Sequence, residues 1–195
     1  MKKGTIYKGI SETKQIKFSR VWAMPSAWTF TIHPIKVLLD KYVGNGNGWV
    51  DPFAGKNSPA QFTNDMNPEM ANFYTQKPKT YPVHYHFIME AIDFAKQGDK
   101  KFDGILFDPP YSFRQISEHY KMLGQKATQM QTSMAFYEKV KSSFADRIKP
   151  AGYAISFGWN SNGFGKARGF KIVEIMLVAH GGSKNDTIVT VEKKL

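Results

Sequence analysis

Gly104-Ile105-Leu106-Phe107-Asp108-Pro109-Pro110-Tyr111 is an apolar run that stops at a carboxylate, two prolines and an aromatic ring. The apolar part, from Phe102 to Phe107, predicts a buried strand. Asp108 then stands at the carboxyl end of that strand, where it can accept a hydrogen bond. The two prolines give up their backbone donors, so the local chain presents mainly acceptors. Tyr111 adds a flat face on which another ring can stack. Asp108, Pro109, Pro110 and Tyr111 together form a receptor for a planar ring bearing an amino group. An isolated Pro-Pro turn capped by Asp108 is the plainer reading. The preceding strand and the basic character of the chain favour the receptor.

Working outward, strands alternate with helices. Pro34 to Val43 predicts a helix, with proline in its first turn and Gly44 closing it. Gly44 to Gly48 is a turn. Gly48 to Phe53 and Gln61 to Asn64 predict the first two strands of the pattern, and His86 to Gln97 a helix ended by Gly98. His84 and His86 also alternate as on a strand. Ser133 to Ile148 predicts an amphipathic helix stopped before Pro150. Gly152–Phe157, Lys171–Ala179 and Thr187–Val191 predict strands, the last two forming a hairpin around Gly181 to Asp186. The expectation is an α/β fold: one domain over residues 1–195, a mostly parallel sheet with helices on both faces, and a C-terminal antiparallel hairpin. Residues 1–20 read as a loose basic arm or an edge strand. In such sheets ligands bind beyond the carboxyl ends of the strands, near the topological switch point.

The chain has 195 residues, 42% of them hydrophobic, enough for a core and too few for two ordinary domains. Its net charge of +11 points to a polyanionic partner, since lysine and arginine release counterions from phosphates. There is no cysteine, which excludes disulfides, thiolate zinc sites and cysteine nucleophiles and fits the reducing cytoplasm. No stretch approaches the roughly 18 apolar residues of a membrane span. Met1-Lys2-Lys3-Gly4 is not followed by an apolar run, so no signal peptide is expected. No His/Asp/Glu spacing looks like a metal site, and no Ser-His-Asp arrangement or phosphate loop is readable.

With Asp108-Pro109-Pro110-Tyr111 and an upstream Asp51-Pro52-Phe53-Ala54-Gly55, the chain resembles the S-adenosylmethionine-dependent amino-methyltransferases. The adenine-N6 DNA enzymes come nearest, and compact relatives of this kind are familiar from phages and mobile elements. The resemblance implies a class I methyltransferase-like, Rossmann-like fold. It implies direct transfer of a methyl group to the exocyclic amine of a base, adenine N6 in DNA first, leaving S-adenosylhomocysteine. In that family the tetrapeptide is catalytic and the turn after the first strand holds the cofactor. It follows that Asp51 would face the methionine amino group, and that Pro52, Phe53, Ala54 and Gly55 would pass close to the ligand. Asp65 would accept from the ribose hydroxyls and Glu90 from the adenine amino group. Phe107 would flank the adenine or belong to the core. Phe30, within Trp28 to Pro34, would belong to a further cofactor segment.

The chain departs from the family in two ways. The usual glycine after Gly55 is replaced by Lys56-Asn57-Ser58-Pro59. Only 13 residues separate Asp51 from Asp65, too few for a strand-helix-strand unit. The helix beneath the cofactor is therefore expected to be lost, with Lys56 or Asn57 taking over as carboxylate partner. There is no room for a separate recognition domain, which predicts relaxed specificity or specificity from a partner chain. Ser112 to Thr132, with Arg114 and His119, reads as a substrate-facing insertion. Trp159 and Asn160, in the loop after a strand, are candidates for the base pocket, and Lys166 and Arg168 for phosphates. DNA is the expected partner, without membrane or metal. RNA as substrate, a homodimer, and a non-catalytic nucleic-acid-binding subunit beside an active partner all stay open.

Overall fold

In the computed structural model, residues 15–75, 83–110, 112–124, 126–128, 133–182 and 184–195 are described. The strands are β1 (Lys17–Trp22), β2 (Trp49–Asp51), β3 (Phe62–Asn64), β4 (Tyr85–Phe87), β5 (Phe102–Phe107), β6 (Ile148–Gly158), β7 (Phe170–Ala179) and β8 (Thr187–Lys194). The helices are α1 (His33–Tyr42), α2 (Ala71–Thr75), α3 (Ala91–Phe94), α4 (Phe113–Met122) and α5 (Met134–Ala145). One sheet holds all eight strands in the order β1-β7-β8-β6-β5-β2-β3-β4. Every ladder is parallel except those of β8, which lies antiparallel between β6 and β7. The chain steps from β2 outward to β3 and β4, then crosses back to β5 on the other side of β2. The switch point therefore lies between β2 and β5, whose carboxyl ends carry Asp51 and Asp108.

The period-two alternation of β5 divides the core. Ile105 and Phe107 pack with Ala91 and Phe94 of α3, Ile116 and Tyr120 of α4, and Phe136, Val140 and Phe144 of α5. Leu106 points the other way, onto Ile35, Leu38 and Leu39 of α1. Each such side chain, removed from water, contributes about 1.5–3 kcal/mol. Gly104 keeps β5 and β2 together: a Cβ there would come within 2.6 Å of the Trp49 ring. Among the described residues no helix is long and apolar enough to cross a membrane.

Most predicted elements form where the sequence places them, and one differs. The helix expected over His86 to Gln97 is a strand followed by one helical turn. The parallel ladder with β3 claims Tyr85, His86 and Phe87, and Glu90 stays extended ahead of α3. The insertion expected over 112–132 begins with a core helix. Ser112 and Gln115 cap α4 reciprocally, and Ile116 and Tyr120, four residues apart, bury one stripe of it. The basic arm, within the described residues, takes its edge-strand form: β1 pairs with β7. As expected, residues 52–61 contain turns and no helix.

Candidate functional site

A cavity of about 230 Å³ opens at the carboxyl edge of the sheet. Its floor is the loop after β2 (Pro52, Phe53, Ala54, Gly55), and Asp108, Pro109 and Pro110 form one wall. Asp65, Glu90 and Phe30 also line it, so the structure brings together ten predicted positions from five segments. Tyr111 lies outside the described residues. Asp51 and Phe107 are not on the cavity surface. Asp51 is wholly buried beneath it, and Phe107, 2% exposed, packs edge-on against Phe53 at 5.4 Å.

The shortened β2–β3 loop is held by side chains in place of a helix. The Asn64 amide donates to the carbonyls of Pro52 at 3.1 Å and Met89 at 3.0 Å, tying two loops to the end of β3. Asp65 accepts from the backbone N–H groups of Gly55 at 3.1 Å and Asn67 at 2.8 Å. The buried Tyr74 hydroxyl accepts from the Ser58 N–H and donates to the Ala54 carbonyl. Gly55 has φ +51°, the left-handed region, and lies against the Trp28 ring, so this turn favours glycine. Of the two residues expected to replace the lost helix, Asn57 lines the cavity. The Lys56 ammonium instead sits over the rings of Trp28 and Phe73, at 4.9 and 4.5 Å.

The cavity is acidic within a basic chain. Complete burial pushes the Asp51 carboxyl up to about 7, against the pull of the Ser58 hydroxyl and the Phe53 N–H, and the charges of Asp108 and Asp65 push it further. Glu90 accepts from the Tyr120 hydroxyl at 2.5 Å. Burial, helped by the charge of Glu90, raises the Tyr137 hydroxyl as well. Three carboxylates on the cavity surface and one beneath it suit a ligand carrying positive charge and hydroxyl or amino donors. They disfavour a phosphate at this depth. Trp28, Met66, Met89, Phe136 and Tyr137 supply apolar surface for a ring or an alkyl chain.

Sequence reasoning missed Asn64 and the Phe136–Tyr137 pair, and it placed Tyr120 in the substrate-facing segment without its tie to Glu90. A signal existed for Tyr120, whose spacing from Ile116 is helical. None existed for Asn64, an ordinary polar residue until the loops after β2 and β4 converge on it.

Five predicted substrate residues lie elsewhere. The Arg114 side chain is 87% exposed and paired with Glu118 at 2.7 Å. Trp159 and Asn160 follow β6 at the carboxyl edge, outside the cavity; Trp159 borders a separate shallow groove, and Asn160 accepts from the Asn162 N–H. Lys166 and Arg168 require a correction. They directly precede β7, which runs parallel to β6, so they approach the opposite edge of the sheet. The Arg168 guanidinium is spent internally, donating to Glu138, Ser142 and the Phe164 carbonyl.

No protein-family model matches the sequence, and no curated protein matches it. Solved structures do match in fold. N-methyltransferase NodS from Bradyrhizobium japonicum WM9, in complex with S-adenosyl-L-homocysteine, has a TM-score of 0.58 at 10% identity, over 82% of this chain and 84% of NodS. A 1,6-didemethyltoxoflavin-N1-methyltransferase from Burkholderia thailandensis, with S-adenosylhomocysteine bound, has a TM-score of 0.56 at 13% identity, over 83% of this chain and 76% of that one. TrmN from Thermus thermophilus has a TM-score of 0.55 at 14% identity, over 84% of this chain and 49% of its own. The fold is thus the Rossmann-like α/β fold of these methyltransferases.

Proposed function

We propose that this protein transfers a methyl group from S-adenosylmethionine to the exocyclic amine of a nucleic-acid base, adenine N6 in DNA. The observation that carries the reading is the meeting of Asp108-Pro109-Pro110 with the Asp51–Gly55 loop across one acidic cavity at the switch point. The chain as a whole carries +11, which suits a polyanionic substrate outside a cavity that suits a cation.

The cavity residues fit the cofactor by the chemistry of their groups. Asp65 offers acceptors to the ribose hydroxyls and Glu90 to the adenine amine. Trp28, Phe30 and Met89 would hold the adenine ring by apolar contact, and Asn57 would hold the methionine end. When bound, S-adenosylmethionine supplies a sulfonium methyl that is displaced directly, leaving S-adenosylhomocysteine.

The protein's own task is to prepare the nucleophile. The lone pair of an aromatic amine is delocalised into its ring. The Asp108 carboxylate and the Pro109 carbonyl each accept one amino hydrogen, which turns the nitrogen pyramidal and aims its lone pair at the methyl, at a near-attack distance of about 3–3.5 Å. The positive charge that develops on nitrogen is stabilised by Asp108, which takes the released proton and passes it to water. The base is taken from a single strand or flipped from a duplex.

The test is incubation with labelled S-adenosylmethionine and DNA or RNA, followed by nucleoside analysis. N6-methyl-2′-deoxyadenosine from DNA is the expected product; label on a nucleobase carbon or on no base overturns the reading. Asp108→Ala should abolish transfer and still bind S-adenosylhomocysteine by calorimetry. An active Asp108→Ala protein refutes the role given to Asp108.

A further inference from the structure

On the face that carries α3, α4 and α5 elsewhere in the sheet, the edge strand β1 is exposed at alternate positions. Register assigns its side chains. Phe18 pairs with Ile175, Arg20 with Leu177 and Trp22 with Ala179 in the parallel β1–β7 ladder, and Leu177 pairs with Ile188 of β8. Residues paired this way share a face. The alternate residues of β1 point to the other side, where Lys17 meets Glu174 and Val21 packs near α1. The open face therefore carries Phe18 and Trp22, each 65% exposed, with Arg20 between them. Beside them a shallow groove is bordered by Trp159, 47% exposed, together with Leu177, Ile188 and Lys184.

We infer that this face is a stacking platform for the nucleic-acid strand that carries the target base. The inference rests on the proposed base-amino reading and adds where the flanking strand lies. Aromatic rings interleaved with cations are what a single strand requires: faces for bases and charges for phosphates. Among the described residues neither Arg20 nor Lys184 is in an ion pair. Asp186, in the same groove, is engaged by the His180 N–H.

Charge also decides against a second copy of the chain on this face. A two-fold contact would set Arg20 and Lys184 against their own kind, between bodies of +11 each.

The platform is continuous with the site. Trp22 ends β1, Trp159 follows β6, and Asp108 follows β5, all at the carboxyl edge. From β5 to β1 there are four strand spacings of about 4.8 Å, roughly 19 Å. At about 3.4 Å per stacked nucleotide, that spans about five nucleotides.

The test measures binding of a fluorescent, mixed-sequence single-stranded oligodeoxynucleotide to the full chain, wild type and variants. Phe18→Ala and Trp22→Ala should each weaken binding on the order of tenfold. Arg20→Ala should lower the slope of log affinity against log salt by about one. All three should bind S-adenosylhomocysteine as wild type does, because these side chains are exposed and outside the cavity. Unchanged oligonucleotide affinity in the Phe18→Ala/Trp22→Ala double variant overturns the platform. So does a dimer in the wild type that this variant dissociates in sedimentation, since the face would then be an interface between copies. If the wild type methylates DNA while the double variant binds it normally, the platform falls and the base-amino reading stands. If the platform variants lose binding but the wild type methylates no base, the platform stands and the base-amino reading falls.

Discussion

Asp51→Asn tests the electrostatics of the site without touching its surface. In the folded protein the Asp51 carboxyl stands at about 7, against an ordinary 3.8. The folded state therefore holds a proton that the unfolded chain releases, and stability must fall as pH rises from about 4 to about 7, then level off. A difference of about three units, at about 1.36 kcal/mol each, makes this fall on the order of 4 kcal/mol. Asparagine cannot titrate. Its amide oxygen can still accept from the Phe53 N–H, as Oδ1 does at 2.9 Å. Its NH₂ replaces the buried Oδ2, a donor in place of an acceptor, at a pH-independent cost of about 1–3 kcal/mol. The readout is thus the change with pH of the difference between variant and wild type. His86, lowered by burial, and Glu174 contribute equally to both proteins and cancel. Guanidinium unfolding across about pH 4 to 8 should shift the balance toward the variant by about 4 kcal/mol. In thermal melts that is roughly 8–16 °C for a chain of this size. A difference that stays constant with pH would mean that Asp51 titrates as an ordinary carboxyl, and the account of a proton-holding acid beneath the cavity would be wrong.

Gly104→Ala sets a Cβ 2.6 Å from the Trp49 ring and should cost about 1–3 kcal/mol in chemical denaturation; an unchanged midpoint would show that β2 yields freely. Burial alone would raise the Glu174 carboxyl, but Lys17, Lys41 and Tyr42 hold it at about 2. Its contribution to stability is therefore complete above the ordinary glutamate range and is lost as pH falls through about 2. Glu174→Gln should remove that acid dependence and speed amide exchange in β1; exchange unchanged from wild type would show that the cluster does not anchor the strand. Tyr120→Phe deletes the 2.5 Å donor to Glu90, worth about 1.5–3 kcal/mol for a charged acceptor. Hydrogen exchange should rise in α4 and not in β5, and equal protection in both proteins would argue against the tie.

The carboxyl-edge location of the site was legible early because a single pattern carries it. The apolar run Gly104 to Phe107 leads straight into Asp108 and the two prolines, so Asp108 was expected at a strand end. The short gap from Asp51 to Asp65 likewise excluded a helix by length alone. Helix and strand were harder to separate over His86 to Phe94, because a three-residue strand shows no periodicity of its own. Its ladder with Phe62, Thr63 and Asn64 decides it, and that partner lies more than twenty residues away.

The sequence by itself determined the class of the fold and the acceptor-rich tetrapeptide, because burial periodicity and missing proline donors are local properties. Only the tertiary structure decided which residues meet. It sank Asp51 beneath the cavity, raised Tyr120 into its wall, turned Lys56 toward Trp28 and carried Lys166 and Arg168 toward the far edge. Those outcomes depend on strand order and on loops that converge from distant parts of the chain, and spacing along the sequence does not encode them.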